Sequence, residues 1–489
     1  MKRKVLSILL LFMTVYYASA QDTFTLPMQR QLEKMASELE AKLVTSPASL
    51  QTINVVKDFN ADNKGRRTTT KQLQKAIDAA AKKAPCRVVF PAGTYVTGTL
   101  FLRSGVHIEL MEGARILASV NLKDYPERYP EYKSNTDLQV NKSLFYAEKV
   151  SGISISGNGS IDFRGNDKLY EGSGGNDPLR PFGIRIISSK NIYIAGLHLK
   201  NSAQWMQHYL DCDSVMIENL DVFNHAHHNN DGMDIDGSRH VYVRNCNVDS
   251  DDDAICLKSN GIAACENILI ENCTAASHCN SLKLGTETTG GFRNILYRNC
   301  RVVQSVTGKK YINGVPTTRT AITLIITDGG AMENIWFDNI NATDCITPIF
   351  VTLGSRGRIH TPGAPKPGIG SMSNIKISNF NATGAGPISS MATGLSDKHR
   401  IHNFILEDIS LEMSVPGKPE DKNADMDAII KMAKPRYPSP HAWKSNLPSS
   451  GFYFRYIDGL ALYNINMKYK NNDPRNKMIF KDCDSIVWD

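Results

Sequence analysis

Apolar and polar residues alternate in short runs along most of the chain, and the runs share one form: Asn-Ile, a polar residue, an apolar residue, another residue, then Asn or Gly. Close copies stand at 191–196 (NIYIAG), 267–272 (NILIEN), 294–299 (NILYRN), 334–339 (NIWFDN) and 374–379 (NIKISN). Looser copies stand at 152–157, 214–219, 240–245, 403–408 and 459–464. Alternation over about six residues is a strand with one buried face. The closing residues Asn219, Asn245, Asn272 and Asn299 are 26, 27 and 27 residues apart, and Asn339 and Asn379 follow at spacings of 40. Helical periodicity is missing between these strands, which excludes an α/β layer fold. The pattern predicts an all-β solenoid, a right-handed parallel β-helix, in which equivalent residues stack about 4.8 Å apart. Asn side chains can then bond along the stack as ladders.

A solenoid needs a covered end. The run from Thr69 to Lys83 predicts an N-terminal cap helix over about 69–83, with Thr69 or Thr70 as its cap. Leu73, Ile77 and Ala80 or Ala81 form its apolar face. The longer spacings are insertions at 305–319, 354–370 and 415–450, the last with a short helical run near 426–432. Such loops shape the binding face of a solenoid.

Composition and charge narrow the picture. Of the 489 residues 41% are hydrophobic, enough to build a core and to exclude a disordered chain. Residues 1–20 read as a signal peptide: Lys2, Arg3 and Lys4, an apolar stretch, then Ala18-Ser19-Ala20. That organisation gives a signal at 1–20, an N-terminal extension at 21–51 and a single β-helix domain at 52–489, exported to the periplasm or the exterior. No later segment carries 18 uncharged apolar residues, so no membrane span is expected. The net charge of +7 falls to +4 without the first 20 residues, too small for a nucleic-acid footprint. Ten cysteines occur, and Cys246, Cys273 and Cys300 recur every 27 residues. A repeated small buried residue explains them better than a disulfide framework, and no Cys/His spacing resembles a zinc site.

The chemistry concentrates in one place. Superposing successive coils lays Gly232–Asp236 over Ala254–Lys258, which puts Asp231 over Asp253, Asn230 over Asp252 and, from the next coil, Asn280 over Asp253. Three carboxylates at one strand entrance, about 5 Å apart, raise at least one pKa. A protonated acid beside ionised partners suits glycoside cleavage. A Ca²⁺ site or a solvated acidic turn are the bland alternatives; Lys258 and Lys283 nearby favour a polyanionic sugar. Trp205, Tyr209, Tyr311 and Phe292 could stack on sugar rings, with core packing the plainer reading of each.

At these residues the chain resembles glycoside hydrolase family 28, the polygalacturonases and rhamnogalacturonan hydrolases. The motif Asn-x-Asp-Gly-x-Asp stands as Asn229 to Asp234, the Asp-Asp pair as Asp252-Asp253, followed by Ile255-Cys256-Leu257-Lys258-Ser259. Asp58-Phe59-Asn60-Ala61, Phe90-Pro91-Ala92-Gly93-Thr94-Tyr95, the run 157–162 and Gly285-Thr286-Glu287 also match. The resemblance implies an inverting hydrolase in which Asp252 is the general acid, Asp231 and Asp253 activate the water, and His278 orients the acid. Two departures stand out. The family's Gly-His-Gly is Ser277-His278-Cys279, and its Arg-Ile-Lys is missing near Ile322-Thr323-Leu324. Arg319 or Lys309-Lys310 could take over the carboxylate grip. Asn229, Lys258, Lys283, Arg319 and Trp205 form the expected substrate-binding set. The implied partner is a pectic polysaccharide or oligosaccharide, bound by a monomer without cofactor or metal. A hydrolase of a non-uronate or branched α-glycan, a polysaccharide lyase and a non-catalytic glycan-binding β-helix are the alternatives.

Overall fold

The computed structural model describes residues 26–489 except 43–44, 48, 139, 172–178, 308–309, 313–314, 317, 434–436 and 439–446. The expected signal peptide and Lys309 lie outside the described residues, as do the side chains of Lys310 and Tyr311. The chain winds as a right-handed parallel β-helix. A 22-stranded sheet and a 12-stranded sheet form its walls.

The alternating runs stack in the register their pattern predicts. Ile153, Ile192, Val215, Val241, Ile268, Ile295, Ile335, Ile375, Phe404 and Leu460 form one continuous row from coil to coil. All ten are buried in the central core. Continuous burial of this kind is the main stabilising term of a solenoid, because each coil covers only its neighbours.

The recurrent Asn has two physical reasons. Asn219, Asn245, Asn272, Asn299, Asn339 and Asn379 all turn a corner with φ between 51° and 55°. This left-handed region is one that Asn tolerates better than other side chains. The first Asn of each run then makes a ladder: Asn294 donates to Asn267 at 3.0 Å, Asn334 to Asn294 at 3.0 Å, Asn374 to Asn334 at 3.1 Å and Asn403 to Asn374 at 2.9 Å. Cys246, Cys273 and Cys300 are buried in the core, and all ten cysteines are unpaired thiols.

Two helices near the N-terminus pack on the solenoid, one on its wall and one over its end. Helix α1 (Leu26–Ala41) was not foreseen within the extension. It lays Met28, Leu32, Met35, Ala36 and Leu39 on the outer face of the large sheet, against Met216, Tyr242, Leu269, Leu296 and Trp336. Helix α2 (Thr70–Ala81) is the expected cap and buries Leu73, Ala76, Ile77 and Ala80. Thr69 occupies its N-cap without a capping bond; its hydroxyl accepts instead from the Asp62 amide at 3.1 Å. Helix α3 (Met426–Ala433) lies in the 415–450 excursion and seats Met426 and Ile429 on Ile325, Phe350 and Met391. No helix among the described residues is long and apolar enough to cross a membrane.

Candidate active site

The site lies at the entrance to the 12-stranded sheet. Strand Met233–Asp236 pairs with Ile255–Ser259 so that Met233 faces Ile255 and Asp236 faces Lys258. Gly232 N–H donates to Asp253 at 2.8 Å and Ala254 N–H to Asn280 at 2.9 Å, so Asp231, Asp253 and Asn280 stand in consecutive coils. The stacking is the one read from the sequence. Gly232 permits it: a Cβ there would lie 2.2 Å from Val248 and 2.8 Å from the Ala254 carbonyl.

Above the carboxylates is a cavity of about 360 Å³, whose wall includes Asp231, Asp252, Asp253, Lys258, Lys283 and Glu287. Asn229, Trp205 and Arg319 also reach it. Asp231 and Asp253 are buried, whereas Asp252 keeps a face open to the cavity. Lys258 is the hub: its Nζ lies 3.2 Å from Asp231, 3.3 Å from Asp234, 3.6 Å from Asp253 and 3.9 Å from Glu287. It also sits 4.7 Å from the centre of the Trp205 ring. Lys283 pairs with Asp253 and donates to the Tyr437 hydroxyl at 2.9 Å. Asn280 donates to Asp253 at 2.6 Å and accepts from Thr323 at 3.0 Å.

These surroundings separate the acids electrostatically. Burial, then the charge of Asp253, holds Asp252 above the usual carboxylate range. Burial would raise Asp253 as well, but the ammonium groups of Lys283 and Lys258 outweigh it and keep Asp253 low. Burial and then Asp234 push Asp231 well up, and Asp234 itself rises to about 7, chiefly by burial. Neighbouring carboxyls driven apart in this way divide into a proton donor and a proton acceptor.

Asn229 is oriented from behind. Arg180, fully buried, donates to the Asn229 carbonyl oxygen at 3.3 Å, which turns the Asn229 amide towards Asp252 at 3.3 Å. Further Arg180 donors go to the Ala203 carbonyl at 2.9 Å and to the His228 carbonyl.

His278 does not take the position expected of it. Ser277 Oγ donates to the Asp252 carbonyl and accepts from Cys279 N–H at 2.7 Å. That tight turn carries the His278 ring away from the cavity wall. Its Nδ1 meets Asp251 at 2.9 Å and its Nε2 meets Thr307 at 2.6 Å, and its ring packs 4.8 Å from that of His225. His225 in turn bonds Asp249 at 2.7 Å. Tyr209 and Phe292 are core residues, as the plainer reading had it.

Other wall residues carried little sequence signal. Arg356 and Arg358 come from the 354–370 loop, where Gly and Pro set the apparent character. Arg356 grips Asp328 in a two-pronged pair and reaches Glu287 at 3.3 Å; Arg358, about half exposed, lies 3.5 Å from Glu287. Burial opposes the Glu287 charge, but Arg356 and then Lys258 hold its carboxyl well below the usual range. Asn135 donates to the Ile359 carbonyl at 3.1 Å, joining two loops over one side of the cavity. Two groups bring metal-capable atoms within 4.8 Å of one another, His225/Asp251/His278 and Asp252/Asp253/Cys279. In the first, His225, Asp251 and His278 all have hydrogen-bond partners within the protein; in the second, Lys283 and Asn280 hold Asp253.

The chain is similar to known proteins in sequence and in fold. Among curated relatives, an exo-poly-α-D-galacturonosidase of Dickeya chrysanthemi is 27% identical over 259 residues, covering 43% of this chain and 42% of the relative. The plasmin and fibronectin-binding protein A of Streptococcus pneumoniae is 34% identical over 157 residues, 30% of this chain and 21% of that protein. The chain thus spans less than half the length of the leading curated relatives. The crystal structure of a hyperthermoactive exopolygalacturonase from Thermotoga maritima superposes with a TM-score of 0.66 at 18% identity, over 89% of this chain and 96% of that one. Residues 85–430, which hold every carboxylate of the cavity, match glycosyl hydrolases family 28, and the chain belongs to that family.

Proposed function

We propose that this protein hydrolyses α-linked galacturonosyl bonds in a pectic polysaccharide or oligosaccharide, with inversion, and that it works from a chain end. The observation that carries the reading is the division of the adjacent pair: Asp252 raised and open to the cavity, Asp253 lowered and held by two lysines. Asp252 protonates the glycosidic oxygen as the bond breaks. Asp253 takes the proton of the attacking water, which Asp231 helps to hold. Lys258 and Lys283 keep the base ionised in a buried setting.

Loops crowding two sides of the cavity support the chain-end mode. The Asn135–Ile359 bond joins two loops on one side, and Tyr437 stands over Lys283 on another. The exo action named for the Dickeya chrysanthemi relative points the same way. For the uronate carboxylate, Arg319 and Arg358 offer cations on the cavity wall in place of the missing Arg-Ile-Lys. Charge-assisted contacts of this kind are strong. Residues 1–20 direct export and are removed.

The test is digestion of polygalacturonan and of rhamnogalacturonan backbone in parallel, with chelator present. Reducing ends without ultraviolet-absorbing products, and a first-formed sugar of inverted anomeric form by NMR, are expected. Unsaturated products suppressed by chelator would establish a lyase instead, and binding without turnover a glycan-binding protein. Reducing ends from rhamnogalacturonan alone would move the substrate to that polymer.

A further inference from the structure

Cys279 stands where the family pattern has Gly, at the turn between strands Thr274–Ser277 and Asn280–Thr288. It lines the cavity beside both adjacent acids: its sulfur and the nearest carboxylate oxygens of Asp252 and Asp253 all lie within 4.8 Å of one another. The Cys279 sulfur thus faces the Asp252 carboxyl across less than 4.8 Å. Its sulfur accepts from the Asn280 amide at 3.2 Å and from the Arg319 guanidinium at 3.5 Å. With donors directed at the sulfur, the S–H proton is the part left to give, and a carboxylate is the acceptor it meets. Burial, then the charges of Asp252 and Asp253, push the thiol well above its ordinary range. It therefore stays protonated where the enzyme works and serves as a donor, not as a nucleophile.

We propose that Cys279 is a positioning residue for the general acid: its S–H donates to the Asp252 carboxyl and fixes that group on the cavity wall, while Asn280 and Arg319 hold the sulfur. This rests on Asp252 being the acid, as proposed above. Asp252 is also faced by Asn229 from the preceding coil, by the charges of Asp231 and Asp253, and by the ammonium groups of Lys258 and Lys283. Cys279 differs from these charged groups in that it can be changed without altering the net charge of the site.

The sign is definite. A donor stabilises the ionised carboxylate and lowers its pKa, so removing the donor raises it. The acid must be protonated to act, so the alkaline limb of the pH–rate profile moves up when the donor is lost. The experiment compares Cys279→Ala, Cys279→Ser and Asp252→Asn with the wild type on trigalacturonate. It measures kcat and KM against pH, with folding checked by circular dichroism. Cys279→Ala is expected to lower kcat about tenfold or more with KM nearly unchanged, and to move the alkaline limb up by about half to one pH unit, the size of a weak donor's effect on a charged acceptor. Cys279→Ser is expected to restore most of kcat and to hold the limb at or below that of the wild type. The Ser result decides even where the Ala variant fails to fold. Equal losses in Ala and Ser with an unmoved limb, or no loss in either, would overturn the proposal. Full activity in Asp252→Asn would overturn the underlying assignment of the acid, whatever the Cys279 variants do.

Discussion

Replacing Asp252 by Asn removes the transferable proton and keeps the shape, so kcat is expected to fall about 10³-fold, the usual worth of a positioned general acid, with an unchanged melting temperature. Steady-state kinetics beside a thermal melt checks it. The pH profile follows from the two opposed shifts. As the proposed base, Asp253 must be ionised and sits low, so activity is expected to be lost only as the pH falls through that lowered value. As the proposed acid, Asp252 must be protonated and sits high, so activity is expected to persist above the ordinary carboxylate range and to be lost as the pH rises through its raised value. Lys283→Met strips a cation from Asp253 and is expected to move the acid limb to higher pH, read from the same profiles. Most of this arrangement was legible. Asp231, Asp252 and Asp253 announce themselves by their stacking, and Lys258 and Lys283 by lying one coil on. His278 was not, because its placement turns on hydrogen bonds of Ser277, Asp251 and Thr307 that no spacing encodes.

At the scale of elements, strands were easier to read than loops or the first helix. The strand rows declared themselves because one left-handed Asn corner recurs in coil after coil. Helix α1 did carry a signal, since Leu32, Met35, Ala36 and Leu39 share one helical face. Its apolar face meets the outside of the sheet instead of the core, where the repeat gave no reason to look. Leu32 is fully buried there, so Leu32→Ala is expected to destabilise the protein by about 2–4 kcal/mol in denaturant unfolding while kcat stays the same. The loop at 354–370 was legible as a loop and no more; its arginines enter the site through a fold in which residue 287 and residue 358 become neighbours. Arg358→Ala is expected to raise KM on trigalacturonate about tenfold or more with a smaller change in kcat, because its contact with a carboxylate would be made in the ground state as well as the transition state.

The whole molecule is one stack, and its site is a property of the register. Gly232 shows how narrow the tolerance is. Gly232→Ala would drive a methyl into Val248 and the Ala254 carbonyl, separating the coils that bring Asp231 over Asp253. Loss of activity together with a lower melting temperature is the expected result, unlike the pure kinetic loss of Asp252→Asn. The central claim is that this register builds the two-carboxylate site proposed to remove sugars from a pectic chain end. Its most direct test is a time course of product sizes from polygalacturonan under wild type and Asp252→Asn, with chelator present. The account predicts short saturated products from the first time point, slow loss of polymer length, and product formation about 10³-fold slower from the variant. Rapid mid-chain cleavage would contradict the chain-end mode, and product release by Asp252→Asn at the wild-type rate would contradict the site itself.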